Sequence, residues 1–172
     1  MSDFRTYDPV EFFTRLVAPT YKEYLAEPLL HHRVKNAVAQ LDTMAERMWH
    51  WWHERDPARV AHSRSARRYR EYLVASVCPD FQLVWDLHDS HKHVELTRGE
   101  RIVRSASQSG VGYQDGAFDP ESFDSEMFDV GTKKFVIKLG EDTERDVAEV
   151  LCNVYDMWRG VVGTPVVSIG DA

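Results

Sequence analysis

The part of this sequence best suited to chemistry is a stretch of six residues that holds three of its eight histidines. His88, His91 and His93 are interleaved there with Asp89 and Lys92. An imidazole titrates close to neutral pH, a carboxylate can orient it, and an ammonium group can stabilise negative charge. These residue types at this spacing indicate either proton transfer or metal binding.

As an acid/base site, the stretch would use His93 to move protons, with Asp89 orienting the ring through its other nitrogen. Lys92 would contact a phosphate and stabilise the charge that develops on it. The combination predicts metal-independent cleavage of RNA or conversion of a nucleotide, without a cofactor.

A metal site is the alternative for the same stretch, because neutral imidazoles bind zinc and iron. His88 and His91 are the candidate ligands, and His93 could join them. On a helix the first two lie on a different face from Asp89 and His93, and no second helix supplies an obvious set of ligands. A structural role, with surface ion pairs at a helix end, is the third interpretation.

Six arginines between residues 55 and 70 form a second candidate site. Phosphate recognition needs clustered positive charge, so Arg64, Arg67 and Arg68 are predicted to contact nucleic acid. Residues 1–70 carry 12 Lys and Arg against 9 Asp and Glu, residues 71–172 carry 9 against 19, and the net charge is −7. Nucleic-acid binding is therefore expected to be local. A solvated connector is the alternative for these arginines.

Helices are expected to position these residues, because apolar side chains recur every three or four positions. The helices are predicted over about 9–26, 31–55, 65–77 and 80–97, with a kink at Pro19 and ends before Pro57 and at Gly99. The last helix is predicted to open at Thr143-x-x-Asp146, a variant of the capping box, and to close on Arg159-Gly160.

Two extended segments, 101–106 and 134–139, predict a β-hairpin before the last helix. The long loop between them, 109–131, has six acidic residues and no Lys or Arg, and is termed the acidic flap. A short tail, 163–172, follows the last helix. The fold class is thus mainly α, one domain over 1–172: a bundle of four to five helices with a hairpin and a long acidic loop inserted before the last helix.

The second helix carries Glu46, His50 and His53 at the spacing of half a metal site in a helical bundle. They point away from the apolar stripe of that helix, so we expect them to face solvent. Trp49 and Trp51 beside them, or the acidic flap, could instead bind another protein. A non-catalytic interaction module is therefore the main alternative to an enzyme.

The run from Trp85 to Leu96, followed by a hairpin and a closing helix ending in Met157-Trp158, resembles a set of uncharacterised bacterial proteins. Those proteins share a Lys-His pair at a helix end, here Lys92-His93. More distantly, the arrangement is similar to HEPN-like helical domains, which include ribonucleases with a helix-borne Arg, four to six residues, and then His. The resemblance implies a helical bundle that acts on RNA or nucleotides, and a homodimer is expected for such a protein.

One departure from the HEPN-like pattern concerns the arginine, because none stands four to six residues ahead of His93. Arg47 with His53 and Arg55 with His62 have the required spacing instead.

Several other classes of protein are disfavoured by the sequence. No glycine-rich dinucleotide or P-loop motif and no GxSxG elbow is present. No apolar run approaches the roughly 20 residues of a membrane span, and the first residues do not form a signal peptide, so a cytoplasmic protein is expected. Cys78 and Cys152, outside any CxxC pattern, are expected to be buried thiols.

Overall fold

The computed structural model describes residues 8–93, 96, 101–114, 132–140 and 143–163. In these residues the chain forms five helices and a three-stranded antiparallel sheet, which confirms the mainly helical fold with a hairpin before the last helix. None of the helices in these ranges combines the length and hydropathy that a membrane span requires.

The first helix is continuous but widened in the middle. It consists of α1 (Pro9–Phe12), a π-helical turn (Phe13–Val17) and α2 (Ala18–Ala26). Asp8 caps its start by accepting a hydrogen bond of 2.7 Å from the backbone N–H of Glu11. The widened turn lies directly before Pro19, whose ring lacks an N–H and crowds the preceding turn. The widened turn thus precedes Pro19, which lies in the first turn of α2.

The longest helix, α3 (His31–Arg55), has the predicted bounds and is the centre of the bundle. It packs against α2 and against three later helices: α4 (Ala66–Ser76), α5 (Phe81–Lys92) and α6 (Val147–Val162). Its predicted stripe is buried from Val34 to Met48. Pro57 begins a 3-10 turn (Pro57–Val60) that leads to α4.

Helix α5 is shorter than the predicted 80–97, because His93 leaves the helix in an extended conformation. The predicted cap, Gly99, lies outside the described residues. Ser65 caps α4 by accepting a hydrogen bond from the backbone N–H of Arg68.

The sheet contains β1 (Ser109–Gln114), β2 (Thr132–Lys138) and β3 (Glu144–Asp146) in the order β1-β2-β3. The second predicted strand is confirmed, but the first is wrong: 101–105 is not a strand, and β1 takes the first six residues of the predicted flap. The pairing sets Ser109 opposite Ile137 and Val136 opposite Asp146. The rest of the flap, 115–131, lies outside the described residues.

Helix α6 begins and ends later than predicted. Asp146 caps it by accepting a hydrogen bond of 2.8 Å from the backbone N–H of Ala148, while the residues after Thr143 form β3. Gly163, with φ +68°, ends it in the left-handed conformation that glycine tolerates best, so Gly160 is still helical. Tail residues 164–172 lie outside the described ranges.

The core lies where α6 meets α3 and α5. Trp158 is fully buried, donates a hydrogen bond of 2.9 Å to the carbonyl of Leu41, and packs edge-to-face on Phe81. Cys78 is buried as predicted, but Cys152 is exposed on α6, so that prediction is wrong for one of the two thiols.

Candidate acid/base site

A buried carboxylate on α3 orients one of the predicted histidines on α5. Nδ1 of His88 lies 2.7 Å from Oδ2 of Asp42, and only 2% of Asp42 is exposed. Asp42 follows Leu41 at the edge of the apolar stripe of α3, which places the carboxylate between α3 and α5. Burial at that position requires hydrogen-bond partners.

Arg70 on α4 supplies the second partner of Asp42. Its Nε and Nη2 atoms lie 2.9 and 3.2 Å from the two carboxylate oxygens, so the pair is bidentate. Burial by itself raises the pKa of Asp42, but the hydrogen bonds from His88 and Arg70 outweigh it and hold the pKa below its usual value. The carboxylate is therefore ionised at neutral pH and joins three helices.

An ionised Asp42 defines which nitrogen of His88 carries the proton. The carboxylate accepts a hydrogen bond, so Nδ1–H is the donor, and in the neutral form of the ring Nε2 carries the lone pair. Among the described residues no partner for Nε2 of His88 is present, and 14% of the side chain is exposed. A histidine oriented in this way can take a proton from a substrate.

A second buried carboxylate, Asp86, fixes the chain that follows α5. Its oxygens accept hydrogen bonds from Gln82, Arg101 and the backbone N–H groups of Ile102 and Val103, at 2.7–3.2 Å. These bonds hold residues 101–103 against α5, which is why this segment does not form the predicted strand.

Arg101 links this anchor to the predicted catalytic residues. It lies 2.9 Å from Asp86 and 2.8 Å from Asp89, and its guanidinium group covers the ring of Trp85 at 4.8 Å. The Asp89 carboxylate is thus paired with Arg101. Within the described residues, Asp89 makes no hydrogen bond to the ring of His93, which it was predicted to orient.

The other two predicted catalytic residues lie at the end of α5. Lys92 and His93 are both exposed, and His93 is extended. The two residues thus lie next to each other at the exposed end of α5.

His91 is the most unusual histidine of the stretch. Its ring centroid is 6.5 Å from that of His31, and Nε2 is buried without a hydrogen-bond partner among the described residues. Burial, followed by the nearby Lys35, His31 and His88, lowers the pKa of His91 to about 4. The ring is therefore neutral at pH 7.

The predicted metal ligands His88 and His91 are both on the inner face of α5, but their surroundings are not those of a ligand set. In the described part of the chain, no group of three or more His, Cys, Asp or Glu residues is placed to hold a metal ion. Metal binding at these two histidines stays a prediction.

The predicted nucleic-acid contacts lie on the outer surface. Arg67 and Arg68 are exposed and pair with Glu71 at 3.2 and 2.6 Å, and Arg64 is exposed before the start of α4. Arg70, from the same run, turns inward to Asp42.

The surface around the tryptophans differs from the prediction. Trp49 is buried and donates a hydrogen bond of 3.0 Å to the carbonyl of Ser63, so it is not part of an exposed surface. Glu46, His50 and His53 are exposed, as predicted. Trp51 is half-buried.

Trp51 lines an open pocket of about 270 Å³, formed where α1, the end of α3 and the end of α6 meet. The pocket shares no residue with the acid/base site, and its lining residues are Asp8, Pro9, Val10, Met48, Trp51, Trp52, Arg59, Val161 and Val162.

Three residues of the site were missed by the sequence reasoning: Asp42, Arg70 and Arg101. Asp42 had a detectable signal, since a carboxylate at the edge of a buried stripe must find a partner. Arg70 was part of the arginine run but its inward contact had no signal, and Arg101 had none at all, because their partners are 28 and 15 positions away.

No protein-family model matches this sequence, and no curated protein or solved structure matches it either. The geometry of the site is therefore the basis for assigning a function.

Proposed function

We propose that this protein performs metal-independent acid/base chemistry on RNA or a nucleotide, with His88 as the general base. The observation that carries the proposal is the hydrogen bond of 2.7 Å between His88 and the buried Asp42, which is itself paired with Arg70. The role of general base, predicted for His93, is thus assigned to His88, whose ring is oriented by Asp42.

The reaction that fits best is attack of a ribose 2′-hydroxyl on its own phosphodiester. Nε2 of His88 takes the hydroxyl proton, the 2′-oxygen forms a bond to phosphorus, and the bond to the 5′-oxygen breaks. The leaving oxygen takes a proton from solvent, and His88 later returns its proton to water. The ionised Asp42 stabilises the imidazolium formed in between.

The residues predicted from the sequence keep supporting roles in this proposal. Lys92 contacts phosphate and His93 assists proton transfer at the open end of α5, while Asp89 holds Arg101 beside Trp85. Arg64, Arg67 and Arg68 guide the nucleic acid, and no cofactor is required. A homodimer in the bacterial cytoplasm belongs to the same proposal.

The test compares wild type and a His88→Asn variant on a mixed RNA pool in EDTA, followed by size analysis. Asparagine keeps a donor for Asp42 and removes the base, so folding is expected to survive; circular dichroism checks this. His50→Ala, at an exposed histidine, is the matched control. We expect cleavage by wild type and the control, and a loss of at least about 100-fold in His88→Asn. Intact RNA with all three proteins would overturn the proposal.

Protein binding is the second candidate function, and the pocket beside Trp51 and Trp52 favours it. Val10 and Val161 leave over a third of their surface exposed there, and Arg59 stacks on Trp52 at 4.1 Å. An apolar pocket with a nearby cation is typical of surfaces that bind a partner. If RNA stays intact, the capture of partner proteins by Trp51→Ala is compared with capture by His53→Ala, whose residue lies outside the pocket. A loss of capture in Trp51→Ala alone would distinguish protein binding from a structural role.

A further inference from the structure

We propose that His31, Lys35 and His91 form a phosphate-binding subsite beside His88. The inference deepens the proposed function, on which it rests, because it assigns a phosphate-bearing substrate to the acid/base site. The subsite lies between the start of α3 and the end of α5.

The geometry brings the three side chains together from two helices. His31 and Lys35 are four residues apart on α3, so they share one face of that helix. His91 faces them from α5, with its ring centroid 6.5 Å from that of His31. Charge-assisted N–H···O bonds to phosphate are about 2.8 Å long, so one phosphate can accept hydrogen bonds from both rings.

The charges favour an anion at this position. Among the described residues, no carboxylate pairs with Lys35 or His31, whereas the neighbouring Arg33 is bound by Glu23 and Glu27. Arg70 and Arg101 are also tied to carboxylates. Lys35 thus stands out as a cation of the α3–α5 region that is not paired in the described chain.

One ring nitrogen of His91 makes no hydrogen bond within the described residues. Its Nε2 is buried and has no partner in the described residues, and an unpartnered buried polar atom is unfavourable. A phosphate oxygen would accept a hydrogen bond from that nitrogen. An anion would also relieve the repulsion by Lys35 and His31 that contributes to the low pKa of His91.

The position of the subsite suits the proposed reaction. His88 and His91 are three residues apart on α5, so a phosphate bound at His91 lies about one helical turn from the oriented imidazole. A substrate with a hydroxyl next to a phosphate, as in RNA, can place both groups at once. The chemical class of ligand is therefore a phosphate ester with a neighbouring hydroxyl.

The experiment titrates inorganic phosphate into the protein at pH 7 and constant ionic strength, and follows the histidine ring signals by NMR. We expect the signals of His31 and His91 to shift in a saturable manner, while that of His53 stays in place. Lys35→Gln should weaken binding about tenfold, the effect of one charge-assisted hydrogen bond. Lys22→Gln, at an exposed lysine on α2, is the matched control.

Two results would overturn the subsite: ring signals that do not respond to phosphate, or equal binding by the Lys35→Gln and Lys22→Gln variants. The proposed function fails separately. Phosphate binding by a protein that leaves RNA intact would retain the subsite and reject the cleavage, whereas cleavage without phosphate binding would do the reverse.

Discussion

At the scale of single residues, the buried carboxylate of Asp42 determines what α5 can do chemically. It orients His88, and it neutralises Arg70, which is itself mostly buried. In the proposed function the same group serves both catalysis and stability, so removing it should affect both. The two effects can be separated because His88 and Arg70 can be replaced one at a time.

Replacing Asp42 by alanine should lower the free energy of unfolding by about 3 kcal/mol, since the mostly buried Arg70 guanidinium loses its bidentate partner and keeps only the exposed Glu46 at 3.7 Å. Urea unfolding followed by circular dichroism measures this. Glu46→Ala is the matched control, because Glu46 is one turn along α3, lies 3.7 Å from Arg70 and is exposed. We expect it to change stability by less than about 0.5 kcal/mol. Equal effects of the two variants would contradict the role of Asp42.

His91 should make stability depend on pH. Its folded pKa of about 4 lies below the ordinary value of 6.5, so between these values the unfolded chain binds more protons. Stability should therefore fall as the pH is lowered from about 6.5 towards 4. Urea unfolding at pH 7 and pH 4.5 measures the fall, and His91→Gln should show a smaller one than wild type. An identical pH dependence of both proteins would show that His91 is not held neutral by the fold.

At the scale of elements, the site depends on where each helix starts and stops. The bounds of α3 could be predicted, because its stripe is regular and Pro57 ends it. The strand predicted at 101–106 is wrong. The apolar residues Ile102 and Val103 suit a strand, but their backbone N–H groups donate hydrogen bonds to the buried Asp86 and not to a neighbouring strand. A long-range polar contact therefore overrides the local preference.

The end of α6 offers a test at this scale. Gly163→Ala should destabilise the protein by roughly 1 kcal/mol, because φ of +68° is unfavourable for a residue with a Cβ. Gly160→Ala is the opposite case, because Gly160 is helical and a Cβ there meets nothing within 4 Å. Alanine at this position should stabilise the protein by up to about 1 kcal/mol. Thermal unfolding of both variants measures the difference. A more stable Gly163→Ala variant would show that α6 ends elsewhere.

At the scale of the whole molecule, the site is an assembly of distant segments. Asp42 meets Arg70 and His88 across 28 and 46 positions, and both contacts depend on α4 and α5 packing against α3. The sequence identified the histidine stretch and the helices, because residue types and periodicity are local. It could not select His88 over His93, because the orienting carboxylate comes from another helix.

The distribution of charge over the molecule predicts how RNA binding responds to salt. The net charge is −7, so binding should depend on few contacts. Five phosphate contacts, at Arg64, Arg67, Arg68, Lys92 and Lys35, would give a slope of about −3.5 when log K is plotted against log salt. Fluorescence anisotropy with a labelled single-stranded RNA and the His88→Asn variant measures it. A slope near zero would exclude the arginines as phosphate contacts.

The most direct test of the account sets His88 against His93. Single-turnover cleavage of one defined RNA in EDTA should fall by at least about 100-fold in His88→Asn, and far less in His93→Ala, because only His88 is oriented by a buried carboxylate. The product should end in a 2′,3′-cyclic phosphate. An active His88→Asn variant, with His93→Ala inactive, would place the chemistry at the open end of α5 and contradict the central claim.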